Sequence, residues 1–363
     1  MKLRRLALLA GLAAAQFVVF EAALRWHGGS EASPAFQRLF RPDPYVGHVL
    51  APDVTTRFTT AEFSTTIAIN PQGIRDDEPV GPKEPGERRI VVLGDSIVFA
   101  VQVEHHETFC ELLEARLNAR GDGTRYRVLN AGVQGYGPIE ALRFLERVAI
   151  GFEPDLVLFV SFVANDSVEA FDRTRQLERS RSLPGHLRDE ADRHLRRTVR
   201  RSMVLQILAQ RFRLLRERFR PAGPAVPDRR LLAYSTPASD EILEGFRLAA
   251  DAVRDMAELA TSRGASTAIA LVPARFQLDP AEYARMRDVV APAGYQLEID
   301  GASRRFAEAY GRLGLPMIDL LDAFRRSDRP DRIFFRQTVH LTPYGHRVAA
   351  DALAEFLTRH GLP

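Results

Sequence analysis

Apolar residues fall in two rhythms along this chain, and the rhythms alternate. Short continuous apolar runs at 90–93, 126–129, 156–162, 267–272 and 317–320 read as strands buried on both faces. Between and after them, 107–120, 139–148, 239–263, 282–290 and 343–359 carry apolar positions three and four apart, the spacing of one helix face. That alternation predicts a five-stranded parallel sheet with helices on both sides, a three-layer α/β/α sandwich occupying 88–363. Upstream, 54–70 is rich in Thr, Phe and Ile, with Phe58, Phe63, Ile67 and Ile69 spaced for short strands and Pro71-Gln72-Gly73 as a turn. Residues 35–87 are therefore expected to form a small β-rich lead-in. It is too short and too poor in large apolar side chains to fold alone, so it should pack on the main domain.

Two stretches break the pattern. Residues 1–28 open with Lys2, Arg4 and Arg5, and 6–24 is then apolar apart from Gln16 and Glu21. A basic start before one apolar run is an export signal, and as a helix those residues would reach about 28 Å, enough to cross the hydrocarbon core. The expectation is an uncleaved anchor, with cleavage after 13–15 as the alternative. The cations would keep the amino end in the cytoplasm and put the remainder outside, at a cell inner membrane. Residues 29–34 read as a linker. The second stretch, 171–230, is an arginine-dense insertion with two helical runs. In one of them Val204, Leu208, Phe212, Leu215 and Phe219 share a face. Such a helix can lie on an anionic membrane, cover a site as a lid, or simply pack on the domain.

Composition narrows the picture only a little. With 27% charged and 45% hydrophobic residues, the 363-residue chain is an ordinary globular protein, and a net charge of +3 gives no reason to expect nucleic acid. Cys110 is the sole cysteine, so no internal disulfide can form. It sits among Phe109, Leu112 and Leu113, where a buried inert thiol is expected. The chain has no His-Glu-x-x-His, no cysteine pair and no Gly-x-Gly-x-x-Gly after a strand, so neither metal nor nucleotide cofactor is implied.

The candidate chemistry lies at strand ends. Gly94-Asp95-Ser96 stops the first strand of the domain, where a hydroxyl is free of the ladder and faces the crevice in which open α/β sheets bind ligands. The 130–137 segment, Asn-Ala-Gly-Val-Gln-Gly-Tyr-Gly, follows the second strand, and its glycines let backbone N–H groups approach a ligand. Asn165 follows the third strand, and His340 comes just before a helix that begins at Pro343. Together these supply a nucleophile, oxyanion donors and a base, with Ser96 and His340 expected within hydrogen-bond reach.

These four blocks resemble those of the SGNH, or GDSL, hydrolase superfamily over most of 88–360. The resemblance implies a flavodoxin-like sandwich, Ser96 as nucleophile, His340 as base, and Gly135, Asn165 and the Ser96 N–H as oxyanion donors. The apolar start, the Asn70-Pro71-Gln72-Gly73-Ile74-Arg75 run and the His-Leu-Thr-Pro-Tyr-Gly-His ending are similar to a bacterial exported branch. Some relatives in that branch O-acetylate polysaccharides. The implied activity is hydrolysis or transfer of an acyl group, with acetyl the expected one, on an envelope or extracellular carbohydrate.

The chain departs from the pattern at Gln337, where the family has the Asp of Asp-x-x-His. In a serine protease triad, loss of that carboxylate lowers turnover about ten-thousandfold. Three outcomes stay open: a Ser-His dyad oriented by the Gln337 oxygen or a main-chain carbonyl, a borrowed carboxylate from Asp331, Asp328 or Asp319, or a protein that has kept the pocket to bind acylated glycan. The oligomeric state is not legible.

Overall fold

A computed structural model describes residues 34–180 and 227–363 throughout, together with 15–19, 21, 195, 199, 202, 204, 205, 208, 211 and 212. Two antiparallel hairpins come first: β1 (Phe40–Asp43) with β2 (Gly47–Leu50), and β3 (Val54–Thr59) with β4 (Ser64–Ile69). The buried side chains of these hairpins, among them Leu50, Phe58, Ile67 and Ile69, join the core on one face of the main sheet.

The main sheet is built from β5 (Glu87–Gly94), β6 (Arg125–Gly132), β7 (Leu156–Phe162), β9 (Ser266–Val272) and β11 (Met317–Asp319). The short strands β8 (Ser235–Thr236) and β10 (Gln296–Leu297) pair separately. All pairings in the main sheet are parallel and the spatial order is β11-β9-β7-β5-β6. Counting only these five, the order is 2-1-3-4-5, that of flavodoxin-like sheets, whose ligand crevice opens between the first and third strands. Here those strands are β5 and β7, which lead into Ser96 and Asn165.

Alternation along the strands divides the interior in two. Val91, Leu93, Val157, Phe159, Ile269 and Leu271 face one layer with α3 (Pro138–Arg147), α4 (Asp166–Ser180), α5 (Asp240–Ser262) and α7 (Gly301–Gly311). Ile90, Val92, Leu156, Leu158, Ala268 and Ala270 face the other, with α2 (Phe109–Asn118), α8 (Leu320–Arg326) and α9 (Pro343–Arg359). Helix α6 (Pro280–Val290) lies beside β10. The three layers expected from the sequence are therefore present.

Some boundaries differ from the expectation. β6 runs three residues beyond 129, so Asn130 and Gly132 are in the strand and the loop begins at Val133. α4 begins directly after Asn165, because Asp166 and Glu169 supply its acidic first turn; residues 171–180 belong to this helix and not to the insertion. α7, of 11 residues, and α8, of seven, are absent from the expected helices. Among the described residues no helix is long and apolar enough to cross a membrane, and most of the 1–28 segment lies outside them. Val204 is half-buried, whereas Leu208 and Phe212 are 56% and 69% exposed; Leu215 and Phe219 lie outside the described residues.

Glycines at the carboxyl ends of β5 and β6 leave room for the 96–99 turn and for β7 to pack against them. A Cβ on Gly132 would come within 2.5 Å of the Phe99 nitrogen, and one on Gly94 within 2.8 Å of the Val160 carbonyl oxygen. Gly132→Ala is expected to cost about 1–3 kcal/mol as backbone is forced apart. Urea unfolding with an unchanged m-value and a lower midpoint would show it.

Candidate active site

Ser96 opens α1 (Ser96–Phe99), a helix of one turn capped by Asp95, whose carboxylate accepts the Ile97 N–H at 2.8 Å. As the first helical residue, Ser96 has an N–H without an intrahelical acceptor. Its hydroxyl makes no hydrogen bond to any described residue, and the side chain is half-buried. The Ser96 carbonyl accepts the Ala100 N–H at 2.9 Å, whereas later carbonyls of this turn and of the residues just after it are taken by side chains from elsewhere. Asn130 Nδ2 donates to the Val98 oxygen at 2.8 Å. Arg75 donates to Phe99 at 2.8 Å, to Ala100, and to Val103 at 2.6 Å. Thr65 donates to Val101 at 2.6 Å. Arg75 is 1% exposed, and burial pulls its guanidinium down to about 10. Asn70 shapes the turn that delivers it, accepting the N–H groups of Gln72 and Ile74.

His340 ends a loop closed by the Phe334–Leu341 bridge and by Phe335 N–H donating to the His340 oxygen at 3.0 Å. The loop is clamped through its backbone from two sides. Arg275, three residues past β9, donates to the carbonyls of Phe335, Arg336 and Thr338 while its other nitrogens meet Glu282. Glu62, from the β3–β4 turn, accepts the N–H groups of Arg336 and Gln337, both at 2.9 Å. Neither ring nitrogen of His340 has a hydrogen-bond partner among the described residues, and burial alone pulls the imidazole down to about 4. The ring is a neutral base, and the expected hydrogen bond to Ser96 is not formed.

His346 stacks on Phe109, accepts its N–H at 3.1 Å, and is held down to about 3 by burial, Arg75 and His340. Cys110 is buried beneath the same layer, with its thiol pushed up by desolvation.

Gly135 lies in the loop after β6 with φ +74°, is exposed, and leaves its N–H without a partner among the described residues. Asn165 sits opposite, but its amide is engaged: Nδ2 donates to Asp95 at 3.2 Å and to Glu169 at 3.0 Å. Desolvation pushes Asp95 up to about 6, raises Asp166 well above the carboxylate range, and with Asp95 beside it lifts Glu169 to about 7. Among the described residues no group of three His, Cys, Asp or Glu is placed to hold a metal ion.

The profile of the GDSL-like lipase/acylhydrolase family matches residues 92–348, from β5 into α9. The chain belongs to that family. No curated protein matches it in sequence. Among solved structures it is similar to a lipase/acylhydrolase from Enterococcus faecalis at 16% identity, covering 75% of this chain and 96% of that one with a TM-score of 0.42. It is similar as well to the acetylxylan esterase Axe2 from Geobacillus stearothermophilus, in its D191A form, at 14% identity, with 74% and 94% covered and a TM-score of 0.40.

Gln337 stands three residues before His340. Gln337 has an exposed side chain and meets Glu62 only through its N–H, so it does not orient His340. The carboxylates nearest in sequence are occupied elsewhere: Asp319 caps α8, Asp328 accepts from the Tyr344 hydroxyl, and Asp331 faces Arg329 at 3.7 Å. The site residues that sequence reasoning does not single out are Arg75, Glu62, Arg275 and Glu169. Arg75 is visible within its motif but carries no role there, and Glu169 is visible one helical turn after Asn165. Glu62 and Arg275 act on backbone, which leaves no signature in the sequence.

Arg75→Met is expected to leave buried carbonyls unpaired, lowering stability by about 2–4 kcal/mol in urea unfolding. At a temperature where the variant is folded, kcat should fall more than KM rises, because Ser96 is displaced while the rest of the crevice is kept.

Proposed function

We propose that this protein cleaves an acyl ester through a serine acyl-enzyme, its substrate being an acylated, in kind acetylated, carbohydrate of the cell envelope or its surroundings. The observation that supports the chemistry is a Ser96 hydroxyl with no partner among the described residues and two N–H groups likewise without one, its own and that of Gly135, in the segments that follow the neighbouring strands β5 and β6 at the switch point of the sheet. Ser96 Oγ attacks the carbonyl carbon as His340 takes its proton, and the oxyanion is held by those N–H groups. Collapse expels the alcohol, which receives the proton from His340; water then enters by the same route and releases the acid. Transfer to a second hydroxyl differs only in the acceptor. The carbohydrate assignment rests on the resemblance to the exported branch, and with it goes an amino-terminal anchor holding the domain outside the inner membrane. The exposed Leu208 and Phe212 fit a helix that meets a membrane or covers the crevice.

A second reading is a binder of acylated glycan with impaired chemistry. It is favoured by two observations, a His340 that no carboxylate meets among the described residues and an Asn165 amide already engaged. Turnover of p-nitrophenyl acetate by the full-length chain separates the two readings. The esterase reading expects turnover that Ser96→Ala abolishes; glycan binding that survives Ser96→Ala without any turnover would favour the binder.

Two further outcomes follow from the base loop. His340 is kept neutral by burial, so the acid limb of kcat/KM should fall near pH 4 instead of near 6.5: activity is lost only as pH drops through that value. Gln337→Asp should change kcat by less than about threefold, because position 337 faces Glu62 and solvent; a gain approaching the ten-thousandfold of triad acids would show that the loop presents this side chain to His340.

A further inference from the structure

Behind the candidate oxyanion site lies a group of acids that the reaction outlined above does not use. Asp95 reaches it from the nucleophile turn, Asp166 and Glu169 from the first turn of α4, and Glu140 from α3. The Glu140 carboxylate accepts the Gly137 N–H and pairs with Arg173 at 2.9 Å. Asp166 is fixed by the Ser161 hydroxyl at 2.7 Å and the Phe162 N–H at 3.1 Å. Among the described residues the cation paired with Glu169 is Arg230, 3.9 Å away and 58% exposed. Glu169 itself is 23% exposed, with Oε2 buried and unpartnered, and packs where a Cβ on Gly137 would lie 2.9 Å from its own. It therefore touches the glycine loop on one side and Asn165 on the other.

Both amide hydrogens of Asn165 point at acids, Asp95 and Glu169, and neither is left for a substrate. We propose that Glu169 is a positioning residue that governs Asn165: ionised, it holds one amide hydrogen and sets a negative charge beside the oxyanion; protonated, it releases that hydrogen to the substrate oxygen. The inference rests on the ester-cleavage reading and extends it to the state in which the site is competent. A hydrogen bond to an ionised acceptor is roughly twice as strong as one to a neutral acceptor, so losing the charge is what frees the amide. Burial first, then the charges of Asp95 and Glu140, push Glu169 up against the opposing pull of Arg230 and of the Asn165 hydrogen bond, so that it stands at about 7 and the change falls near neutrality. The step moves one proton between solvent and a carboxylate and makes or breaks no covalent bond to substrate.

The test is the pH profile of the full-length chain on p-nitrophenyl acetate, beside the side-chain amide 15N resonances of Asn165, assigned by their loss in Asn165→Ala. Above about pH 7, kcat should fall about tenfold per unit with little change in KM, toward the hundredfold that one oxyanion donor is worth. In Glu169→Gln that alkaline limb should disappear, so the ratio of kcat at low and high pH collapses toward one. The Asn165 resonances should show a transition with the same midpoint in the parent, and Glu169→Gln should lose that transition and keep only the lower one, near pH 6, that comes from Asp95. Resonances that titrate in this way in a protein without Ser96-dependent turnover would support the coupling while removing the ester-cleavage reading. Ser96-dependent turnover with the same alkaline limb in Glu169→Gln, or Asn165 resonances without a transition that Glu169→Gln removes, would overturn the proposal.

Discussion

A helix of a single turn cannot satisfy all of its own carbonyls, and Arg75 reaches in from the lead-in to take the last of them, Phe99, together with those of Ala100 and Val103 just beyond. A guanidinium suits this position because it is planar, stays charged when buried, and offers several donors in a fixed fork. Its neighbours add to the hold, Thr65 at Val101 and Asn130 at Val98. The same lead-in touches the other loops of the site. Tyr136, next to Gly135, donates its hydroxyl to the His48 oxygen at 2.6 Å, and Glu62 takes two N–H groups of the base loop. The family profile begins at residue 92, so these contacts come from a part of the chain that the shared family pattern does not contain.

Electrostatics on the two sides of Ser96 are opposite in kind but share a cause. On the α9 side, burial keeps His340 and His346 uncharged, and the fixed charge of Arg75 reinforces this at His346. On the α4 side, burial and mutual repulsion keep the acids from all being ionised together. A family member with an Asp beside its histidine stabilises the imidazolium directly. Among the described residues no carboxylate meets the His340 ring, and the loop that carries it is held through its backbone: Arg275 on three carbonyls, Glu62 on two N–H groups. A clamp fixes where the ring sits; it does not supply the charge.

What the sequence made legible follows from how locally each feature is encoded. The strands 156–162 and 267–272 were readable because burial on both faces demands continuous apolar residues, and α5 because 23 residues of helix give many turns of the same pattern. Ser96, Gly135, Asn165 and His340 were readable as residue types at strand ends. How they are wired was not. That Asn165 would donate to two acids depends on Asp95, seventy positions earlier, and on Glu169 one turn later. That Gln337 would face solvent depends on Glu62, 275 positions away. Such pairings come from tertiary folding, and single positions carry no trace of them.

Ser96 acts, on this reading, as a nucleophile activated by a neutral His340 without a third carboxylate. That claim is tested most directly by treating the full-length chain with a fluorophosphonate probe and mapping the adduct by peptide mass spectrometry. The account predicts a single adduct on Ser96, absent in Ser96→Ala and formed at least a hundredfold more slowly in His340→Ala. No adduct, or one on another hydroxyl with Ser96 unmodified, would contradict it.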